Sequence, residues 1–253
     1  MTTSTADHVT YLVRHADDCL VLAQRLGEWS SRAPDLEEDI ALTNTALDLL
    51  GQARSLYTMA SEREGGGRTE DDFAYFRTER EFSNLLLVEQ PNGDFGLTMA
   101  RQLFFDAYQL SLWESLSTSS ERTLAGIAAK AVKETRYHFR HSSAWVIRLG
   151  DGTAESHDRM QAGIDALWRF TGELHAGDEL DRAIAASGFG ADPAGFAEAW
   201  DARIDKVLGE ATLHRPEDAF QRTGGRTGVH TEHLGLLLAE MQVLQRTYPG
   251  LVW

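Results

Sequence analysis

Apolar residues recur at helical spacing along nearly the whole chain, and this period constrains the fold more than any other feature. The first predicted helix, about Asp7 to Glu28, places Leu12, Ala16 and Cys19 on one face, as in an amphipathic helix. No stretch alternates strictly between apolar and polar residues, which is the pattern of a half-buried strand. Only five prolines interrupt the 253 residues. The sequence therefore predicts an all-α helical bundle.

Capping and turn residues predict where the helices begin and end. Asp35 opens a second helix, and Thr118 to Glu121 has the residues of a capping box before a long fifth helix. The glycine-rich stretch 223–228 is interpreted as a flexible lead into the last helix. No linker or internal repeat appears, so we expect one domain over residues 1–253. The remaining predicted helices are Thr69 to just before Pro91, Phe95–Leu116, Glu155–Leu174, Asp178–Ala186, Asp192–Leu213 and Val229–Tyr248.

Ionisable residues fall on faces of four predicted helices that should be buried. In the fifth helix, Glu134 and His138 follow Leu124, Ile127 and Ala131 at spacings of three and four. Burying such groups without partners is costly, so we expect them to meet one another or a ligand. We call this set the inward polar cluster; it comprises Asp48, Asp106, Glu134, His138, His230 and His233.

The cluster suggests a di-iron centre whose spacing is faulty. Helical bundles build such centres from two Glu-x-x-His motifs and two further carboxylates. Here His138 stands one residue late after Glu134, and the residue three before His233 is His230, which cannot bridge two metals as a carboxylate does. The segment His230 to His233 also fails to match the motifs of zinc proteases. A buried hydrogen-bond network is the favoured interpretation, and an intact di-iron site is the alternative.

Charge and cysteine content exclude several classes of function. The chain has 24 basic and 39 acidic residues, a net charge of −15 that disfavours nucleic acid and anionic membranes as partners. Cys19 is the single cysteine, so neither an intramolecular disulfide nor a thiolate metal cluster is expected. The N-terminal residues do not resemble a signal peptide, and no apolar run is long enough for a membrane span. We expect a cytoplasmic protein.

Several segments carry a specific family resemblance, from the first helix to Trp253. They are Leu47–Arg54, Glu81–Phe95, Lys133–His138, Arg222–Gly235 and Leu238–Gln242. Together they resemble the PaaC family, the C subunit of bacterial phenylacetyl-CoA epoxidase, also called the phenylacetate ring 1,2-monooxygenase.

The resemblance implies a ferritin-like fold and a structural role in phenylacetate catabolism. It implies a homologous catalytic A subunit that holds the di-iron centre and binds phenylacetyl-CoA, with further components including a reductase. This chain would then hold no cofactor and would not itself be catalytic. Because Leu85 to Val88 form an apolar run, we expect helices two to four to supply much of the contact with that subunit. Two alternatives stay open: an iron-binding ferritin-like oxygenase subunit, and a helical module that binds acyl-CoA unaided.

Overall fold

Helices dominate the computed structural model, which describes residues 3–217 and 220–251. No strand occurs among these residues, so the all-α prediction is confirmed. Short 3₁₀ turns at Glu79–Glu81, Gly172–His175, Pro193–Phe196 and Gly225–Thr227 supplement the longer helices. No helix in the described ranges is long and apolar enough to cross a membrane. The α helices are α1 (Thr5–Gly27), α2 (Leu36–Glu64), α3 (Glu70–Tyr75), α4 (Phe95–Leu116), α5 (Arg122–Gly150), α6 (Ala154–Trp168), α7 (Glu179–Ala186), α8 (Ala197–Glu210) and α9 (Glu232–Thr247).

Side-chain caps explain most of the observed helix starts. Asp35 accepts a hydrogen bond from the Glu38 amide at the start of α2, and Asp94 accepts one from Leu97 at the start of α4. At the other end of α2, Gly65 adopts φ 67°, a left-handed conformation that costs glycine little. These local signals lie in the sequence itself, which is why the predicted start of α2 and the predicted bounds of α4 agree with the structure.

Other predicted boundaries are wrong where tertiary contacts replace helical hydrogen bonds. The third predicted helix stops at Tyr75, and residues 82–91 follow as an irregular segment. The N-cap of α5 is Glu121 itself, whose side chain accepts from the Thr123 amide, so the predicted capping box does not form there. The last helix begins at Glu232, which leaves His230 in the loop before it.

The described residues pack as two compact units. The terminal unit comprises residues 3–91 and 224–251, and the middle unit comprises residues 92–217 and 220–223. Whether these units form the single domain predicted over 1–253 stays a prediction.

In the terminal unit, α1 and α2 lie along each other and bury Leu12, Leu22, Leu49 and Leu56. The short helix α3 and the C-terminal helix α9 pack against each other and against α1. The irregular segment 82–91 belongs to the same unit and is buried from Leu85 to Gln90. It follows that this unit has a core of its own.

The middle unit is built around α4, which is buried on nearly every face. Helices α5, α6 and α8 all pack on it. The Trp200 indole on α8 is buried and donates to the Phe104 carbonyl on α4 at 2.9 Å. A Cβ added to Gly163 on α6 would lie 3.1 Å from the Leu97 Cα, which shows how closely the α6 backbone approaches α4. Such enclosure accounts for the high apolar content of α4.

Candidate functional site

Asp106 lies on α4 in the interior of the middle unit. Its carboxyl is 2% exposed, and the Ser142 hydroxyl on α5 donates to its Oδ2 atom at 2.8 Å. Burial raises the pKa of Asp106 to about 8, although the hydrogen bond from Ser142 opposes the shift. The neutral form of the carboxyl is therefore favoured at pH 7. A neutral carboxyl is a poorer metal ligand than a carboxylate, because binding a cation would first release its proton.

Glu134 and His138 occupy different positions relative to the buried face of α5. His138 is 2% exposed and lies on the same stripe as Thr135 and Ser142, which contact α4. Glu134 lies at the edge of that stripe. Its side chain is 16% exposed and pairs with Lys130 at 3.3 Å. The buried stripe of α5 therefore passes through Thr135, the neighbour of Glu134. Of the two residues predicted to point inward, His138 is the buried one.

His230 is fully enclosed in the terminal unit and both of its ring nitrogens face acceptors. Nδ1 lies 2.8 Å from the Glu89 carboxylate, and Nε2 lies 2.9 Å from the Phe82 carbonyl oxygen. A neutral imidazole carries one N–H, so donation to both acceptors requires the protonated ring. Burial opposes this charge, but the hydrogen bonds to Glu89 and Phe82 raise the pKa of His230 above its ordinary value. The two acceptors and the raised pKa both favour the imidazolium form of His230, which pairs with Glu89.

Glu89 has four donors around its two carboxylate oxygens within the described part of the chain. The Thr231 amide and hydroxyl donate to Oε1 at 2.6 and 2.7 Å, and Asn84 joins His230 at Oε2 at 2.9 Å. The side chains of His230 and Glu89 are both 0% exposed. A carboxylate with this many donors is fully satisfied, so the pair holds the segment 82–91 against the start of α9.

The other two members of the cluster in the terminal unit are less enclosed. His233 is 31% exposed on its side chain and lies 3.9 Å from Glu232, while its backbone carbonyl accepts from Arg25 at 3.2 Å. Asp48 is half-buried on α2. The ring of His230 contacts Glu89 and Phe82. Whether the six predicted residues act together stays a prediction.

A di-iron centre does not fit the donors that each unit provides. Within either unit, no three His, Cys, Asp or Glu side chains among the described residues are grouped so that they could hold a metal ion. Both ring nitrogens of His230 are already engaged, one by the Glu89 carboxylate and one by the Phe82 carbonyl oxygen, so neither is open to a metal. Burial raises the pKa of Asp106 and favours its neutral form, and its carboxyl accepts from the Ser142 hydroxyl. Carboxylates that bridge metals must be ionised, so the chemistry of these donors differs from that of a working site.

The chain matches the family described as phenylacetic acid catabolic protein over residues 1–253. It belongs to this family. It is also 53% identical over 243 residues to the C subunit of the 1,2-phenylacetyl-CoA epoxidase of Escherichia coli strain K12, a match that covers 96% of this chain and 98% of that protein. The family resemblance found in the sequence is thereby confirmed, and with it the ferritin-like class.

Two further buried acids in this family member were missed by the sequence reasoning. Asp17 on α1 is 0% exposed and accepts from Arg77, Tyr57 and the Ser83 amide. Its neighbour Asp18 is the partner of Arg226. Consecutive acids between Ala16 and Cys19, inside an apolar helix, were the signal that could have found them.

Asp18 receives two hydrogen bonds from Arg226, at 2.8 and 3.0 Å, and a third from the Leu85 amide at 2.7 Å. Burial would raise the pKa of Asp18, but Arg226 and the nearby His15 outweigh it and lower the pKa. Asp18 therefore stays ionised. Asp17 accepts from the Ser83 amide, Asp18 from the Leu85 amide, and Arg25 donates to the Glu89 carbonyl oxygen. Because these side chains satisfy backbone groups of the segment 82–91, the segment does not need to be helical.

The glycine-rich stretch 223–228 is close-packed from Gly224 onward, so its interpretation as a flexible lead is wrong. A Cβ on Gly225 would lie 2.1 Å from the Asn84 carbonyl oxygen, and one on Gly228 would lie 2.4 Å from that of Arg80. Gly228 also has φ 73°. Glycine is needed at these two positions because the backbone of residues 225–228 lies directly against the backbone of residues 80–84.

The apolar run Leu85 to Val88 lies in the core of this chain. All four residues are between 0% and 3% exposed. The run therefore does not support the expectation that helices two to four supply much of the contact with another subunit, since its apolar surface is already covered within the terminal unit. That expectation stays a prediction.

Proposed function

We propose that the chain is a non-catalytic structural subunit of a cytoplasmic, multicomponent 1,2-phenylacetyl-CoA epoxidase, in the aerobic degradation of phenylacetate. In this role it pairs with and stabilises a homologous catalytic A subunit, which holds the di-iron centre and binds the substrate. The 53% identity to a C subunit over nearly the full length of both chains is the observation that carries the proposal.

The contacts that residues of the inward polar cluster make in the structure support the non-catalytic part of the proposal. His230 and Glu89 form a closed ion pair, Glu134 pairs with a lysine, and Asp106 is a neutral acid beside a serine. Each group contributes to the packing of its own unit. Such satisfied polar groups keep a helical scaffold in one defined arrangement, which is what a subunit that supports another protein needs.

An iron-binding oxygenase subunit is the second candidate, and one observation favours it. Asp106 and His138 are both buried on helices that pack against each other, α4 and α5. This is the position where bundle proteins place a carboxylate and an imidazole for a metal. The neutral state of Asp106 argues against it, because a metal would have to displace a proton held with a pKa of about 8.

Iron counting on separated chains distinguishes the two candidates. The chain is expressed alone and together with a tagged A subunit, and iron is measured per chain by plasma mass spectrometry. We expect the tagged A subunit to capture this chain, and we expect the measured iron to be bound to the A subunit. Two irons per chain in the isolated protein, with the absorption of an oxo-bridged pair, would establish the oxygenase instead. A chain that never co-purifies with the A subunit would refute the pairing.

Binding of phenylacetyl-CoA to the isolated chain tests the remaining alternative, an unaided acyl-CoA module. We expect no heat of binding in titration calorimetry at micromolar protein concentration. Saturable binding by the isolated chain would contradict the structural role.

A further inference from the structure

A stripe of apolar side chains lies uncovered on α2 in the terminal unit. Leu36, Ile40, Leu47 and Leu50 are 71%, 53%, 59% and 41% exposed, and their spacing puts them on one side of the helix. We call these four residues the α2 face. It extends for about 21 Å along the helix axis at 1.5 Å per residue. Contiguous apolar surface of this kind on a soluble protein marks a binding surface.

A pocket of about 280 Å³ continues the face at its C-terminal end. Leu50 lines both features, and Ala53, Tyr57 and Tyr75 form further walls of the pocket. Its rim is acidic, because Glu70 and Asp71 lie at the start of α3. Arg54 pairs with Glu70 at 3.2 Å, and Asp71 remains exposed. The pocket therefore suits a long side chain with an apolar stem and a cationic end.

Acidic residues also lie at the other end of the face. Glu37 is exposed in the first turn of α2, next to Leu36. Between Ile40 and Leu50 the residues closest to the stripe are uncharged, namely Thr43 and Asn44. The face is thus an apolar ridge with a negative charge at each end.

We infer that the α2 face and its acidic pocket bind a helix of the catalytic A subunit that carries an apolar ridge flanked by lysine or arginine. This inference rests on the proposed function and specifies which surface serves it. A helix is the fitting occupant because side chains three and four apart on α2 form ridges that a second helix packs into.

A second copy of this chain is a poorer occupant than a different, basic helix. If two copies paired through α2 in antiparallel fashion, Glu37 of one would face Asp71 of the other, and parallel pairing would put each acid against itself. Each copy also carries a net charge of −15. Like charges across an interface cost free energy, so charge selects a heterologous partner.

The exposed apolar residues of α9 provide a matched control in the same unit. Leu236 and Val243 are 72% and 52% exposed, but Glu240 lies between them on the same face of the helix. Glu240 would lose its hydration if the α9 surface were covered by an apolar partner, whereas the middle of the α2 face carries no charge. Leu236→Glu therefore places the same new charge at a leucine outside the proposed surface that is at least as exposed as Leu47.

The test measures capture of the full chain by the tagged A subunit. We expect Leu47→Glu to weaken the affinity at least tenfold, and Leu236→Glu to leave it unchanged. We expect the double variant Glu37→Lys, Asp71→Lys to weaken capture too, whereas Glu240→Lys does not. Circular dichroism and thermal unfolding of each chain alone establish that the exposed substitutions leave the fold intact.

Each outcome has one meaning. Failure of the wild-type chain to bind the A subunit overturns the proposed function and this inference together. Binding by both wild type and Leu47→Glu overturns the inference alone, as does loss of binding in Leu236→Glu. A wild-type dimer in sedimentation that Leu47→Glu dissociates would show that a second copy occupies the face, and would also overturn the inference.

Discussion

The ion pair between His230 and Glu89 allows the sharpest test of the structure. Replacing His230 with alanine removes an imidazolium whose side chain is 0% exposed and leaves Glu89 equally buried. Breaking a buried pair by removing one partner costs about 3–5 kcal/mol. Here three donors remain on Glu89, from Thr231 and Asn84. Because they keep that charge partly satisfied, we expect a cost near the lower end, about 3 kcal/mol.

The dependence on pH gives the prediction a second, independent readout. The pKa of His230 is raised in the folded protein, so its protonated form stabilises the fold. This contribution is fully present below the pKa of the unfolded histidine, about 6.5, and is lost as pH rises through the higher folded value. The difference in stability between wild type and His230→Ala should therefore shrink at alkaline pH.

Urea unfolding followed by circular dichroism measures both effects, at about pH 6 and about pH 9. His214→Ala is the matched control, because His214 is exposed and its replacement should change the free energy of unfolding by less than about 0.5 kcal/mol. A cost below about 1 kcal/mol for His230→Ala at pH 6, or an equal cost at both pH values, would refute the argued imidazolium.

Two further predictions concern close packing and the buried acid. Gly225→Ala should destabilise the chain by about 2–3 kcal/mol, because its Cβ would meet the Asn84 carbonyl at 2.1 Å. Gly126→Ala, with nothing within 4 Å of the added Cβ, should be neutral or slightly stabilising in the same urea unfolding assay. Asp106 has a folded pKa of about 8, so the folded state holds a proton that the unfolded state releases, and wild-type stability should fall as pH rises from about 4 to 8. Asp106→Asn should flatten that profile while retaining stability near pH 7, and an unchanged slope would contradict the neutral acid.

Local sequence signals predicted the all-α class and the bounds of several helices. Apolar spacing and the caps Asp35 and Asp94 define α2 and α4 without reference to the rest of the chain. The same period predicted that Asp106 and His138 are buried, which the structure shows. The helical period placed Glu134 on the buried face of α5, but Thr135 occupies that position in the structure. A rotation of the helix by one residue is enough to exchange the two.

The sequence by itself determined where helices form, because helical period and capping are local and each is written within a few residues. Only the tertiary structure decided which charges meet. His230 pairs with Glu89 across 141 positions of chain, and Arg226 reaches Asp18 across 208. Spacing suggested a metal site at His230, whereas the structure places a hydrogen-bond acceptor beside each ring nitrogen and so favours the protonated ring. The partner of a buried charge depends on which segments the core brings together, and no local pattern contains that information.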